Sequence, residues 1–271
     1  MTLYYKTVWI SDTHLGTKGC KAEYLRDFLD HVECDTLYLV GDIIDLWSWN
    51  VKSGFYWPIL HSDIVQRVIN KARQGTRVIY IPGNHDEQLR KHVGTEFNGI
   101  EIQLKAIHKT VDGRRFLIMH GDEFDSIVCH NKSLAYIGGE AYEMLLVINR
   151  WFNSARKLFG YQYWSLSAYL KTKVKNIVQV MDNYQHVLSL EAQRQRVEGV
   201  ICGHIHHADI TEMSPGKIYC NTGDWVESCT ALVEDETGQL AIINWLEDSY
   251  QLLDAANSAN KNERVNLAKA A

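Results

Sequence analysis

Asp12-Thr13-His14 stands directly after the apolar run Val8 to Ile10, so a carboxylate and an imidazole two residues apart leave a strand in one turn. Such a pair can reach a single cation, although Asp12 taken alone could simply cap the turn. Gly41-Asp42-Ile43-Ile44-Asp45 follows the run Leu37 to Val40, and the two oxygens of Asp42 could bridge two divalent ions. Asp45 is suited to orienting a neighbouring imidazole, holding the turn or capping the next segment. Pro82-Gly83-Asn84-His85-Asp86 begins where Val78 to Ile81 ends. Here Asn84 offers a carbonyl oxygen to a metal, and His85 offers a proton or positive charge to a transferring phosphoryl group. Asp86 could fix the ring of His85, which makes His85 and Asp86 the expected catalytic pair.

Two further motifs carry imidazoles. His120-Gly121-Asp122 follows Phe116 to Met119, with His120 a ligand and Asp122 an acceptor behind it or a substrate contact. Gly203-His204-Ile205-His206 follows Val200 to Cys202, and its two imidazoles could each serve a different ion of a close pair. His207 points elsewhere and reads as exposed or outlying. The ligand set is thus Asp12, His14, Asp42, Asn84, His120, His204 and His206, with Asp45 and Asp122 in support. Independent capping would have to coincide five times to explain the same residues. Mixed nitrogen and oxygen donors favour two transition-metal ions, with Mn preferred and Fe or Zn as alternatives, over an all-oxygen calcium site.

The elements that must position these groups are short buried strands ending in polar turns. Further strands are expected at Ile218 to Cys220, Thr230 to Val233 and Leu240 to Trp245, with turns at Asp112-Gly113 and Ser214-Pro215-Gly216. Helical spacing over Glu23 to Val32 and Asp63 to Arg73 gives the first half an α/β organisation. Residues 126–196 read as an inserted helical cap, with helical stretches at Leu134 to Phe152, Trp164 to Val180 and Tyr184 to Arg196. The core is then 1–125 with 197–250, and 251–271 is a C-terminal extension. Asn221-Thr222-Gly223-Asp224-Trp225 reads as structural support at the site entrance.

The succession D-x-H, G-D-x-x-D, G-N-H-D, a separate His and G-H-x-H resembles the calcineurin-like metallophosphoesterase superfamily from roughly Tyr5 to Trp245. The resemblance implies a double-layer β-sandwich flanked by helices. It also implies one ion on Asp12, His14, Asp42 and His206 and another on Asp42, Asn84, His120 and His204. Asp42 would bridge, and His85 would face the phosphate. The implied activity is hydrolysis of a phosphoester or pyrophosphate.

The insert bears on the substrate. From Met144 to Met181 there is no Asp or Glu, while Arg150, Arg156, Lys157 and three further lysines alternate with aromatics such as Trp151, Tyr161 and Trp164. Arg150, Trp151, Arg156, Lys157, Tyr161 and Trp164 are therefore candidate cap residues for an amphipathic phosphorylated ligand or an anionic membrane surface. Ordinary packing on the core is the competing explanation. Together with Trp9-Ile10-Ser11-Asp12 and His120-Gly121-Asp122, the insert resembles the UDP-2,3-diacylglucosamine diphosphatases. Members of that group release UMP and an acylated glucosamine 1-phosphate during lipid A biosynthesis. Gly83-Asn84-His85-Asp86 and Asp45 depart from the G-N-R-D and G-D-x-x-E of many such enzymes. A broad phosphodiesterase or phosphomonoesterase and a noncatalytic phosphate-binding scaffold are the alternatives.

Composition restricts the remaining classes. Hydrophobic residues make up 46% and charged residues 23%, which argues against disorder. The net charge of −5 gives no global case for nucleic-acid binding. The six cysteines lack paired metal-ligand spacing and read as reduced thiols. No signal-like start or long apolar run is present, so the expected location is cytoplasmic, with peripheral contact on the inner membrane. The expected partner is a phosphorylated small molecule or a lipid-linked nucleotide sugar, and the oligomeric state is left open.

Overall fold

The structure is a computed structural model describing residues 2–47, 54–124, 183–213 and 216–255. Chain contacts divide it into two units, Met1–Glu123 with Leu188–Ala271 and Phe124–Val187. All strands discussed below belong to the first. The candidate cap residues Arg150, Trp151, Arg156, Lys157, Tyr161 and Trp164, together with Cys129, lie outside the described residues.

Twelve strands are described: β1 (Leu3–Ile10), β2 (Val32–Val40), β3 (Arg77–Ile81), β4 (Glu96–Phe97), β5 (Ile100–Ile102), β6 (Ala106–Lys109), β7 (Arg115–Ile118), β8 (Gly199–Cys202), β9 (Asp209–Met213), β10 (Lys217–Asn221), β11 (Thr230–Glu234) and β12 (Leu240–Asn244). The helices are α1 (Ala22–His31), α2 (Ile59–Arg73), α3 (183–195) and α4 (245–255). One sheet has the order β12-β11-β1-β2-β3-β5-β4 and the other β6-β7-β8-β10-β9. In the first, β1, β2, β3 and β5 run parallel. In the second, β7, β8 and β10 run parallel. Both sheets carry antiparallel edge strands, so each is mixed, as the α/β reading of a double-layer sandwich expects.

Strand alternation builds two cores. One face of the first sheet sends Ile10, Leu39, Val78 and Tyr80 against Leu25, Leu29, Ile64 and Val68 of α1 and α2. Its other face sends Trp9, Tyr38, Val40, Ile79 and Ile81 against Phe116, Ile118, Ile201 and Cys220 of the second sheet. Trp9 and Tyr38 stack within this second core, with ring centroids 5.8 Å apart. Strands covered on both faces read as continuous apolar runs, which is why β2, β3, β7 and β8 are legible in sequence.

The expected β1 covers only its buried end, because Leu3 to Lys6 is part-exposed. The strands β4, β5, β6 and β9, at or next to the sheet edges, have no expected counterpart. They are exposed, partly buried or alternating, so the apolar signal is weak. The turn at Asp112-Gly113 closes the β6–β7 hairpin, with Gly113 at φ 93°. Ser214 and Pro215 of the other expected turn lie outside the described residues. Among the described residues Cys20, Cys34, Cys202, Cys220 and Cys229 form no disulfide. Burial pushes Cys20 and Cys34 up to about 12, which makes them poor nucleophiles near neutral pH.

Candidate metal centre

The five polar motifs leave the carboxyl ends of β1, β2, β3, β7 and β8, three from one sheet and two from the other. Open parallel sheets place ligands at these ends. The β1 and β2 turns continue side by side, with the Asp12 N–H donating to Gly41 O at 3.0 Å and the His14 N–H to Asp42 O at 2.9 Å. Within the second sheet the Gly203 N–H donates to His120 O at 3.2 Å and joins the β7 and β8 turns, while the His204 N–H on Asp12 Oδ2 at 2.9 Å links the two sheets.

Asp12, His14, Asp42, His204 and His206 all have positive φ, between 47° and 69°. Non-glycine residues rarely adopt this region, and held strain of this kind concentrates at functional sites. Gly41, at φ 80°, and Gly83 are packed so closely that an added Cβ would strike the His120 ring and the Asp42 carboxylate respectively. These motif glycines therefore let the backbone approach the ligating side chains.

Among the described residues, three groups of side chains could hold a metal ion: Asp12 with His14 and His206, His14 with Asp42 and His85, and Asp42 with His120 and His204. Asp42 Oδ2 lies 3.4 Å from His120 Nε2 and 4.0 Å from both His14 Nε2 and His85 Nε2. Its other oxygen accepts the His85 N–H at 2.8 Å. Asp12 Oδ1 lies 3.1 Å from His206 Nε2, while Oδ2 accepts the His204 N–H at 2.9 Å and the Ser11 hydroxyl.

The chemistry of the donors fits divalent cations. His14 Nδ1 lies 3.0 Å from Asp45 Oδ2, and His120 Nδ1 lies 2.9 Å from Val40 O, so each ring gives its Nδ1–H away and keeps Nε2 for the centre. His14 Nε2, His120 Nε2 and Asn84 Oδ1 are buried and make no hydrogen bond. Buried acceptors without a donor are costly in a folded chain unless something else meets them. Burial pushes Asp42 up, but the neighbouring His120 imidazole outweighs it and holds the carboxyl below its usual range. Burial likewise opposes a charge on His120, yet Asp42 and Asp12 raise it to about 10. This is a site whose carboxylates attract positive charge strongly.

The supporting residues are distributed differently from the expectation. The ring of His85 is held by Asp45, through Nδ1 to Oδ2 at 2.8 Å, and not by Asp86. Asp86 is fully buried and accepts the Ile43 N–H at 2.9 Å, the Gly83 N–H and the Tyr80 hydroxyl, so its carboxylate ties the β2 and β3 turns together. Asp122 accepts both its hydrogen bonds from Arg90, each at 2.8 Å, and Arg90 also reaches Pro82 O. His207 is exposed.

Further contributors lie outside the five polar motifs. Asn221 donates to Gly203 O at 2.7 Å and accepts the Gly223 N–H at 2.9 Å, bracing the turn before His204. Ser11 meets Thr222 at 2.5 Å beneath Asp12. Trp47, 58% exposed, lies against His85 with ring centroids 4.2 Å apart. The Gly223 turn was visible in sequence, but its partners were not.

A profile of the family described as calcineurin-like phosphoesterase matches residues 5–208. Three bacterial proteins named UDP-2,3-diacylglucosamine hydrolase are similar. That of Photorhabdus laumondii is 32% identical over 43% of this chain and 48% of its own length. That of Actinobacillus succinogenes is 24% identical over 84% of this chain and 95% of its own. That of Salmonella dublin is 26% identical over 77% and 85% respectively.

Proposed function

The chain belongs to the calcineurin-like phosphoesterase family and is a metal-dependent hydrolase, and on that premise we propose that it cleaves the pyrophosphate of UDP-2,3-diacylglucosamine to UMP and the acylated glucosamine 1-phosphate. The convergence of three imidazole Nε2 atoms on Asp42 Oδ2 carries the hydrolytic part of the reading. The named relatives support the lipid-linked nucleotide as substrate.

Asp12, His14, Asp42 and His206 would hold one cation and Asp42, Asn84, His120 and His204 the other, with Mn preferred. Such a pair supplies Lewis-acid polarisation of phosphoryl oxygens and a water acidic enough to attack phosphorus near neutral pH. Asp42 would contribute its carboxylate to both cations. His85 gives its Nδ1–H to Asp45 and so directs Nε2 inward, where it can hold a proton against a phosphate oxygen. Burial opposes that proton, but Asp45, Asp42 and Asp12 together raise the imidazole above its ordinary value. Asp45 is thus a positioning residue for His85 and His14. The reaction is read as occurring in the cytoplasm at the inner-membrane face. Among the described residues no helix is long and apolar enough to cross a membrane.

Purified protein supplied with Mn and UDP-diacylglucosamine, with products resolved by mass, should release UMP. Turnover confined to soluble esters would reject the lipid substrate and leave the second reading, a phosphodiesterase or phosphomonoesterase. His85 and Asp45 favour that second reading, because many of the lipid enzymes carry Arg and Glu in those patterns. Asp42→Asn should reduce turnover by about 10³-fold or more, because the shared charge is lost. Binding of substrate by the metal-loaded protein without any turnover would point instead to a scaffold.

A further inference from the structure

Between α1, α2 and the first sheet the packing leaves a cavity of about 450 Å³, within the size range of ligand sites. Its walls are Leu25 and Leu29 of α1, Ile64, Val68 and Ile69 of α2, and Ile10, Leu39 and Ile100 of the sheet. Two polar side chains on the inner wall are already engaged: the Thr13 hydroxyl donates to Ile43 O at 2.7 Å, and the Tyr80 hydroxyl donates to Asp86. The interior therefore offers an occupant dispersion contacts and no hydrogen bond.

The outer end differs. His92, Thr95 and Glu96 line it, and all three are exposed. Its lip is the β4–β5 hairpin, turned by Asn98 and Gly99 at φ 53° and 85°, with β4 at the edge of the sheet and β5 paired to β3. Phe97 on this lip lines the cavity while remaining 63% exposed. A largely apolar interior with a polar mouth matches a molecule having a long hydrocarbon tail and a hydrated head. Water is a poor occupant, because apolar cavities offer it no partners. An empty space of this size would deprive its lining of packing contacts.

We propose that this cavity binds one long acyl chain of an amphipathic lipid, with the head at His92 and Glu96. The site is separate from the metal centre. The turns carrying His14 and Asp42 stand between them, closed by Thr13 on Ile43 O and by the Ile43 N–H on Asp86 at 2.9 Å. The bound tail would support the far side of those turns, against Leu15, Ile43 and Ile44. This inference does not require the phosphoesterase reading, since it invokes no metal and no reaction.

The test uses the full chain, delipidated and freed of metal by chelation, titrated with the fluorescent fatty acid cis-parinarate. Saturable one-to-one binding is expected. Ile69→Trp, which fills the cavity from α2, should weaken it by about tenfold or more, and Phe97→Asp at the exposed lip by several-fold. Ile107→Ser, on the exposed part of β6 away from the lining, should leave it unchanged. Displacement by a free fatty acid, a lysophospholipid or UDP-diacylglucosamine then distinguishes the sources of the chain. Absence of saturable binding overturns the proposal, as does unchanged affinity in both lining variants when circular dichroism finds them folded. Should Ile69→Trp fail to fold, the exposed Phe97→Asp decides alone.

Discussion

Asp45 joins two functions through one oxygen, since its Oδ2 lies 3.0 Å from His14 Nδ1 and 2.8 Å from His85 Nδ1. Asp45→Ala should free both rings to rotate and tautomerise. Loss of such an outer partner typically costs about 10- to 100-fold in metal affinity or activity. Metal titration of the variant checks this, and wild-type affinity would contradict the role assigned to the carboxylate. Gly83 makes a different demand, because its missing side chain is the space that the Asp42 carboxylate occupies. Gly83→Ala should displace Asp42 and weaken metal binding by about tenfold or more, at a stability cost of about 1–3 kcal/mol from overpacking. Calorimetric metal titration and urea unfolding of one sample separate the two effects. Sequence identified Asp45 and Gly83 as members of a site, yet paired His85 with Asp86, whereas Asp45 holds its ring. The two carboxylates end different turns, after β2 and after β3, and only the directions of their side chains show which one meets His85.

Strands are the elements that converge the site, and a buried polar cluster fastens their sheets away from it. Glu234 of β11 accepts from Thr7 of β1 at 2.8 Å, from the Val111 N–H at 2.7 Å, and pairs with His108 of β6 at 2.8 Å. Burial pushes Glu234 up, but hydrogen bonds from His108, Val111 and Thr7 outweigh it and hold the carboxyl below its ordinary 4.5. A depressed carboxylate stabilises the fold fully above its unfolded value and loses that contribution as pH falls through the folded value. Glu234→Gln should therefore cost about 1–3 kcal/mol at pH 7. The gap between variant and wild type should narrow in acid below 4.5. Urea titrations at neutral and acid pH provide the check, and a gap independent of pH would exclude the linkage. The cluster could not be read from the chain, because Thr7, His108 and Glu234 are ordinary polar residues until sheet pairing brings them together.

At the scale of the whole molecule, a metal pair would connect turns from both sheets, so folding and metal binding should be linked. Removing the ions with a chelator should lower the melting temperature. An ion present at 100 times its Kd adds about 2.7 kcal/mol, which corresponds to a fall of about 5–10 °C for a chain of this size. Thermal scans with Mn and with excess chelator test the linkage, and coincident transitions would exclude it. The sequence by itself determined the donor types, their order along the chain and their places after apolar strands. Covalent neighbours and hydrophobic periodicity encode those features locally. Tertiary structure alone decided that Asp45 serves two imidazoles, that Asp86 ties turns together, that Trp47 rests on His85, and that an apolar cavity lies behind the metal-binding turns. Each depends on distances between segments remote in sequence, set by the twist and pairing of two sheets and by how completely helices fill the space against them.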